Sequence, residues 1–187
     1  MRCFGEGDEL YEPYHDTEWG RPQRTERELF EKICLEGFQA GLAWITVLRK
    51  RVALREVFQG FDPVRVAAMD VTPLLDDARL IRSAAKLTAC VRNAEATLAL
   101  GGGLPDLVWS YRDDTPAPSS WADVPPLTPG SAALAKQLKK AGFVFVGPTT
   151  VYSLMQACGI VNDHLARCPV RADVEALRQA VPAKQRA

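Results

Sequence analysis

Between Glu26 and Arg51 the apolar residues Leu29, Ile33, Ala40, Trp44 and Val47 recur at spacings of three, four and seven, the repeat of a helix with one face turned to a core. Period-two alternation is nearly absent from the rest of the chain, so the predicted fold class is all-α. Thr25 and Glu28 form a capping box ahead of that run. Asp62-Pro63 opens a short helix through Met69, Thr72-Pro73 opens another through Ala78, and Ser83 to Leu100 reads as a longer one with Gly101 as its C-cap. Leu107 to Tyr111 ends a further helix, and a Pro- and Ser-containing loop, a candidate mobile segment, runs from Thr115 to Gly130. Ser131 to Ala141 and Pro148 to Val161 read as a helix pair, and Arg171 to Ala180 as a last helix before a polar tail over about residues 181–187. No internal repeat is visible, and residues 1–187 are expected to form one domain.

The charge balance narrows the function classes. Lys and Arg total 23, Asp and Glu total 23, so no global positive field draws the chain to nucleic acid or to an anionic membrane, and any such binding must come from a local patch. The N-terminal stretch carries acids where a secretion signal would be apolar, and no segment reaches the roughly 18 uninterrupted apolar residues of a membrane span. A soluble, cytoplasmic protein is the expectation. Five cysteines, an odd number at wide spacings, do not resemble a disulfide framework, and they read as thiols or metal ligands.

Three constellations carry chemistry. The only two histidines, His15 and His164, each lie near a cysteine, Cys3 and Cys168. Together they make a full tetrahedral set for zinc. The spacing of eleven residues between Cys3 and His15 matches no standard finger, so two unrelated chain ends remain the other reading. The stretch over about residues 133–161 has the grammar of a helix-hairpin-helix: a basic amphipathic helix, a turn holding Gly142 and Gly147, and a second helix opened by Pro148. Glycines let backbone N–H groups approach a phosphate, and the next helix adds its positive dipole end. Lys136, Lys139 and Lys140 lie upstream, with Arg49-Lys50-Arg51 as a second patch; an ordinary antiparallel pair with a solvated lysine face would look the same.

The third constellation is a pocket. At about 100° per residue, Glu36 falls on the same helix face as Leu29, Ile33 and Ala40, which would bury its carboxylate, unless Gly37 and Gly41 break the helix and return it to solvent. Tyr11, Tyr14, Trp19 and Trp44 give an aromatic density above the chain average of 8%. Aromatic walls with one acid suit a flat, cationic heterocycle that bears N–H donors. They also suit an ordinary core.

The segments YHDTEWG, CLEGFQAGLAWITVLRKR, FDPVRVAAM, GFVFVG and MQACGIVNDH occur in the order and approximate spacing of the DNA-3-methyladenine glycosylase I family, the constitutive Tag type, and the chain resembles it from about Arg2 to Cys168. The resemblance implies a helix-hairpin-helix glycosylase fold in which one structural zinc, held by Cys3, His15, His164 and Cys168, joins the N- and C-terminal segments. It implies that Glu36 is the catalytic residue and the reader of a flipped base, with Tyr11, Tyr14 and Trp44 as the substrate-binding wall. Gly41 and Leu42 would plug the DNA stack, and Gly142 and Gly147 would hold the backbone. Phe4 stands where the family often has Trp.

The implied reaction is hydrolysis of the N-glycosidic bond of 3-methyladenine in alkylated double-stranded DNA by a monomer. Methylation at N3 makes the base a good leaving group, so recognition outweighs proton transfer, and no lysine is placed for a lyase step. Asp163, beside His164, is expected to orient that imidazole. The alternative is an inactive module of the same fold that binds damaged DNA; a zinc hydrolase is disfavoured because four protein ligands leave no site for water.

Overall fold

In the computed structural model, which describes residues 1–182, the helices are α1 (Tyr11–Thr17), α2 (Glu26–Gln39), α3 (Trp44–Val57), α4 (Pro63–Ala67), α5 (Ala84–Ala99), α6 (Leu104–Trp109), α7 (Pro129–Lys140), α8 (Pro148–Ala157) and α9 (Arg171–Gln179), with short 3-10 turns at Gln59–Phe61, Thr72–Asp76 and Trp121–Asp123. No strand occurs among the described residues, and no helix among them is long and apolar enough to cross a membrane. The Thr25 capping box forms: its hydroxyl accepts from the Glu28 amide at 3.2 Å, and the Glu28 carboxylate accepts from the Thr25 amide at 2.9 Å. Such a cap is worth roughly 1 kcal/mol.

α2 is the central helix. It packs on α3, α5, α6 and α8 and buries Leu29, Phe30, Ile33, Leu35 and Phe38 completely or nearly so. A buried phenylalanine such as Phe30 resists truncation to Ala by about 3–5 kcal/mol.

The single helix expected from Glu26 to Arg51 is two helices. Ala40 leaves helical geometry and Gly41 takes φ +75°, a left-handed conformation that glycine adopts without steric cost. The released carbonyls find a donor: Lys86 on α5 gives its ammonium to the Phe38 and Ala40 carbonyls at 2.8 and 2.6 Å. The break falls one turn beyond Glu36, which therefore stays buried at 4% exposure. Both sequence-level alternatives were half right.

Other boundaries shift for local reasons. Gly101 is not a left-handed C-cap: α5 ends at Ala99, Leu100 turns extended, and the positive φ falls at Gly103, which leads into α6; that helix ends at Trp109, two residues short of the expected Tyr111. α8 stops at Ala157, not Val161, with Gly159 at φ +75°. The segment from Thr115 to Gly130 is held at several points. Trp121 donates its indole N–H to the Cys3 carbonyl at 2.6 Å, the Pro118 carbonyl accepts from the Ala166 amide at 2.8 Å, and α7 begins within it at Pro129.

α1 carried no periodic signal, being seven residues long. α9 is anchored: Arg178 is buried and donates to the Gly159, Asp113 and Ile160 carbonyls, while Val181 just beyond the helix is buried as well. Of the polar tail expected over residues 181–187, residues 183–187 lie outside the described residues.

Candidate active site

α1 and the first turn of α3 bring Tyr14 and Trp44 together with ring centroids 5.3 Å apart, and α2 sets Glu36 against them. A cavity of about 180 Å³ is lined by Tyr11, Tyr14, Trp44 and Glu36, the four residues expected there. Sequence reasoning had named Trp19 among the aromatics and missed Phe4, Gln39, Trp121, Ser153 and Gln156 as lining. Trp121 lies in a proline-rich loop far along the chain, and no periodicity marks it; Ser153 and Gln156 share a face of α8 at a spacing of three, the one signal available.

The electrostatics of this pocket are unusual. Burial raises the Glu36 carboxyl to about 7, and the charge of Lys32 only partly opposes it. No hydrogen bond contributes to that balance, so Glu36 is a buried acid without a protein donor. Isolated buried charges are costly. The Trp44 indole nitrogen is likewise buried with no partner. The cavity thus presents one unsatisfied acceptor between aromatic faces, the complement of a planar heterocycle that bears N–H groups.

A second acid, Glu18, acts on Tyr14. Glu18 pairs with Lys32, which is buried, and with Arg51 at 2.6 Å. Burial alone would raise Glu18, yet the two cations outweigh it and hold it at about 2. Lys32 and Arg51 also sit 5.1 and 5.9 Å from the Tyr14 ring centre, within cation–π range. This reassigns the basic run 49–51. Arg51 is spent on Glu18, Lys50 donates to the Ala78 and Arg79 carbonyls, and Arg49, which stays exposed, pairs with Asp8 at 3.4 Å.

The cavity continues toward the surface. A neighbouring depression shares Glu36, Gln39 and Ser153 with it and is lined further by Gly41, Leu42 and Thr149. Leu42 is 40% exposed at the tip of the α2–α3 turn. Beside it, the turn between α7 and α8 places Gly142 at φ +99° and leaves Gly147 with nothing within 4 Å of where a Cβ would stand. Asn93 on α5 clamps this turn, donating to the Val144 carbonyl at 3.2 Å and accepting from the Val144 amide at 2.8 Å; the sequence reading had no means to find it. Lys136, Lys139 and Lys140 are exposed on α7.

Cys3, His15, His164 and Cys168 converge, all buried, with one ligand atom from each lying within 4.8 Å of the others. Cys168 Sγ is 3.6 Å from His15 Nε2 and 3.4 Å from His164 Nδ1, and Cys3 Sγ is 3.6 Å from His164 Nδ1. Tetrahedral zinc with ordinary Zn–S and Zn–N bonds requires an S···N separation of roughly 3.6 Å. The donor set fits a metal ion. The ring orientations suit it: His15 Nδ1 faces the Asp16 carboxylate at 2.7 Å and His164 Nε2 faces the Trp19 carbonyl at 3.0 Å, which turns the opposite nitrogens toward the sulfurs, His15 Nε2 also lying 3.2 Å from the Cys3 amide. Asp163 does not orient His164 as expected; its Oδ2 is occupied by Tyr152 and Gln156 at 2.7 and 2.8 Å. Burial lowers His164 to about 4 and raises Cys3 to about 12, so the His164 imidazole is ready to ligate while the Cys3 thiol awaits a cation.

An all-helical scaffold that closes an aromatic pocket over an unbonded acid is suited to hold a flat heterocycle, and its relatives place it in the class of DNA glycosylases. Its fold matches a crystal structure of 3-methyladenine DNA glycosylase I with a TM-score of 0.87 and 49% identity, covering 90% of this chain and 98% of that one. The family model described as Methyladenine glycosylase matches residues 4–172, and the chain belongs to this family. It is 48% identical to a DNA-3-methyladenine glycosylase of Haemophilus influenzae over 180 residues, covering 91% of this chain and 97% of the relative. A variant of 3-methyladenine DNA glycosylase I solved in complex with 3-methyladenine aligns with a TM-score of 0.86 and 33% identity over 90% of this chain and 96% of that one.

Proposed function

We infer that this chain is a DNA-3-methyladenine glycosylase, which hydrolyses the N-glycosidic bond of 3-methyladenine in alkylated duplex DNA. The observation that carries this reading is the buried Glu36 carboxylate, which lacks a protein donor and is enclosed by Tyr11, Tyr14 and Trp44. A flipped base costs a few kcal/mol of pairing and stacking, least at a damaged site. The cationic lesion recovers this by stacking on the aromatic walls and donating from its exocyclic amine to Glu36. Because the methylated base departs neutral, Glu36 acts as catalytic residue through charge complementarity, not through proton transfer. No lysine is placed for a lyase step.

Gly41 and Leu42 fill the gap in the stack, and the helix-hairpin-helix of α7 and α8 holds phosphates through the open backbone at Gly142 and Gly147. Cys3, His15, His164 and Cys168 would hold one zinc, whose role with four protein ligands is to fasten the chain ends together. Residues 1–187 act as one cytoplasmic domain and as a monomer. Incubation with methylated duplex DNA should release free 3-methyladenine; tight binding of the damaged duplex with no base released would instead identify a damage-binding module.

A further inference from the structure

Gln156, on α8, lines the pocket, and its side-chain amide is tied on one side only: Nε2 lies 2.8 Å from Asp163 Oδ2. Asp163 is 5% exposed, and the same oxygen accepts the Tyr152 hydroxyl at 2.7 Å. A carboxylate oxygen only accepts, so the amide must present its NH2 group to it. The Tyr152 hydroxyl is held protonated by burial and by that same bond, which keeps it a donor. The amide cannot turn over without placing two acceptors against each other.

We infer that Asp163 and Tyr152 lock Gln156 with its carbonyl oxygen toward the pocket, making Gln156 a residue that selects purines bearing an amine at position 6 over those bearing a carbonyl. The inference rests on the base-binding reading above and deepens it. Glu36 alone is an ambiguous reader. With its carboxyl raised to about 7, it is protonated in part near neutrality and can then donate to a carbonyl. A locked amide cannot change sign. A site whose polar groups are fixed rejects the mismatched ligand far better than one that adapts, because the mismatch leaves buried groups unpaired. Asp163 and Tyr152 are positioning residues, and Gln156 is the one facing the ligand.

The test is titration calorimetry of two free bases, 3-methyladenine and 3-methylhypoxanthine, which carries a carbonyl in place of the exocyclic amine, into the full chain and into Asp163→Asn and Gln156→Met. Asn at 163 keeps the shape, but its own amide can turn and donate, allowing Gln156 to turn with it. The wild-type chain should prefer 3-methyladenine by about a hundredfold or more. Each variant should narrow that ratio about tenfold, or ~1.4 kcal/mol, with metal content and melting temperature unchanged. An unaltered ratio in both variants overturns the inference and leaves selection to Glu36; narrowing in Gln156→Met alone overturns the lock. If Asp163→Asn does not fold, an unaltered ratio in Gln156→Met suffices to overturn it. A wild-type chain that binds neither base contradicts the proposed function instead.

Discussion

Two acids act on Tyr14, and their surroundings treat them oppositely. Glu18 is satisfied by Lys32 and Arg51 and held at about 2, whereas Glu36 is buried with no donor and raised to about 7. One kind of side chain thus serves two purposes according to its neighbours. The paired acid fastens α1's C-terminal turn to α2 and α3; the unpaired one stores a demand for donors that a ligand can meet. The same contrast separates the metal cluster, where each histidine has its partner, from the pocket beside it, where Trp44 has none.

If the paired regions are structural, their loss should dominate stability. Cys168→Ser should reduce bound zinc from one per chain to near zero and lower the melting temperature by upward of ~10 °C, since structural zinc contributes several kcal/mol or more. Elemental analysis beside calorimetry checks this, and stoichiometric zinc in a His15→Ala, Cys168→Ser double variant would contradict it. Glu18→Gln should come next. Leaving the buried Lys32 without its countercharge costs about 3 kcal/mol, read by urea unfolding, while affinity for free base changes far less.

The unpaired acid should behave in the reverse way. Its native carboxyl lies above the ordinary value of 4.5, at about 7, so the native state holds a proton that the unfolded chain has released. The associated stability is full below about pH 4.5 and is lost as pH rises through 7. Glu36→Gln removes this dependence and should gain on wild type by about 3 kcal/mol between pH 4 and pH 8, measurable from unfolding curves at the two pH values. A smaller effect is expected at the hairpin. Gly147 has φ −69° and open space at its Cβ position, so Gly147→Val should fold normally yet weaken damaged and undamaged duplexes alike by about tenfold, through obstructed phosphate approach. A loss confined to damaged duplex would move the effect to the pocket.

Much of this architecture was legible because it rests on local rules. The Thr25 box, the prolines that open α4, α6, α7 and α8, and the face shared by Ile33 and Glu36 all follow from short-range geometry. The convergence of Cys3 and Cys168 did not follow from spacing, since it depends on two chain ends meeting, and it was reached through resemblance. Asn93 and Trp121 were invisible for the same reason, since each reaches its partner across a long sequence separation; the bond between Gln156 and Asp163 spans only seven residues but joins α8 to the irregular segment after it, where no periodicity predicts a contact. The split of the long helix was a matter of sterics and of a remote lysine. Gly41 permits the turn, but Lys86 supplies the donors that make ending α2 there acceptable.

The central claim is that Glu36 reads the base as an ionised acceptor, and a pH profile of affinity for 3-methyladenine in wild type and Glu36→Gln addresses it directly. Wild-type affinity should hold above about pH 7 and fall as pH drops through that value, because protonation removes the charge and turns an acceptor into a donor; the raised carboxyl in the native pocket sets that window. Glu36→Gln should bind roughly thirty- to a thousandfold more weakly at pH 8, the loss of about 2–4 kcal/mol expected for a charge-assisted bond replaced by a donor facing donors, and should lose the acid limb near 7. Zinc content and affinity for undamaged duplex should stay at wild-type values. Wild-type affinity and excision in the variant, with the same pH profile, would show that Glu36 is not what holds the flipped base.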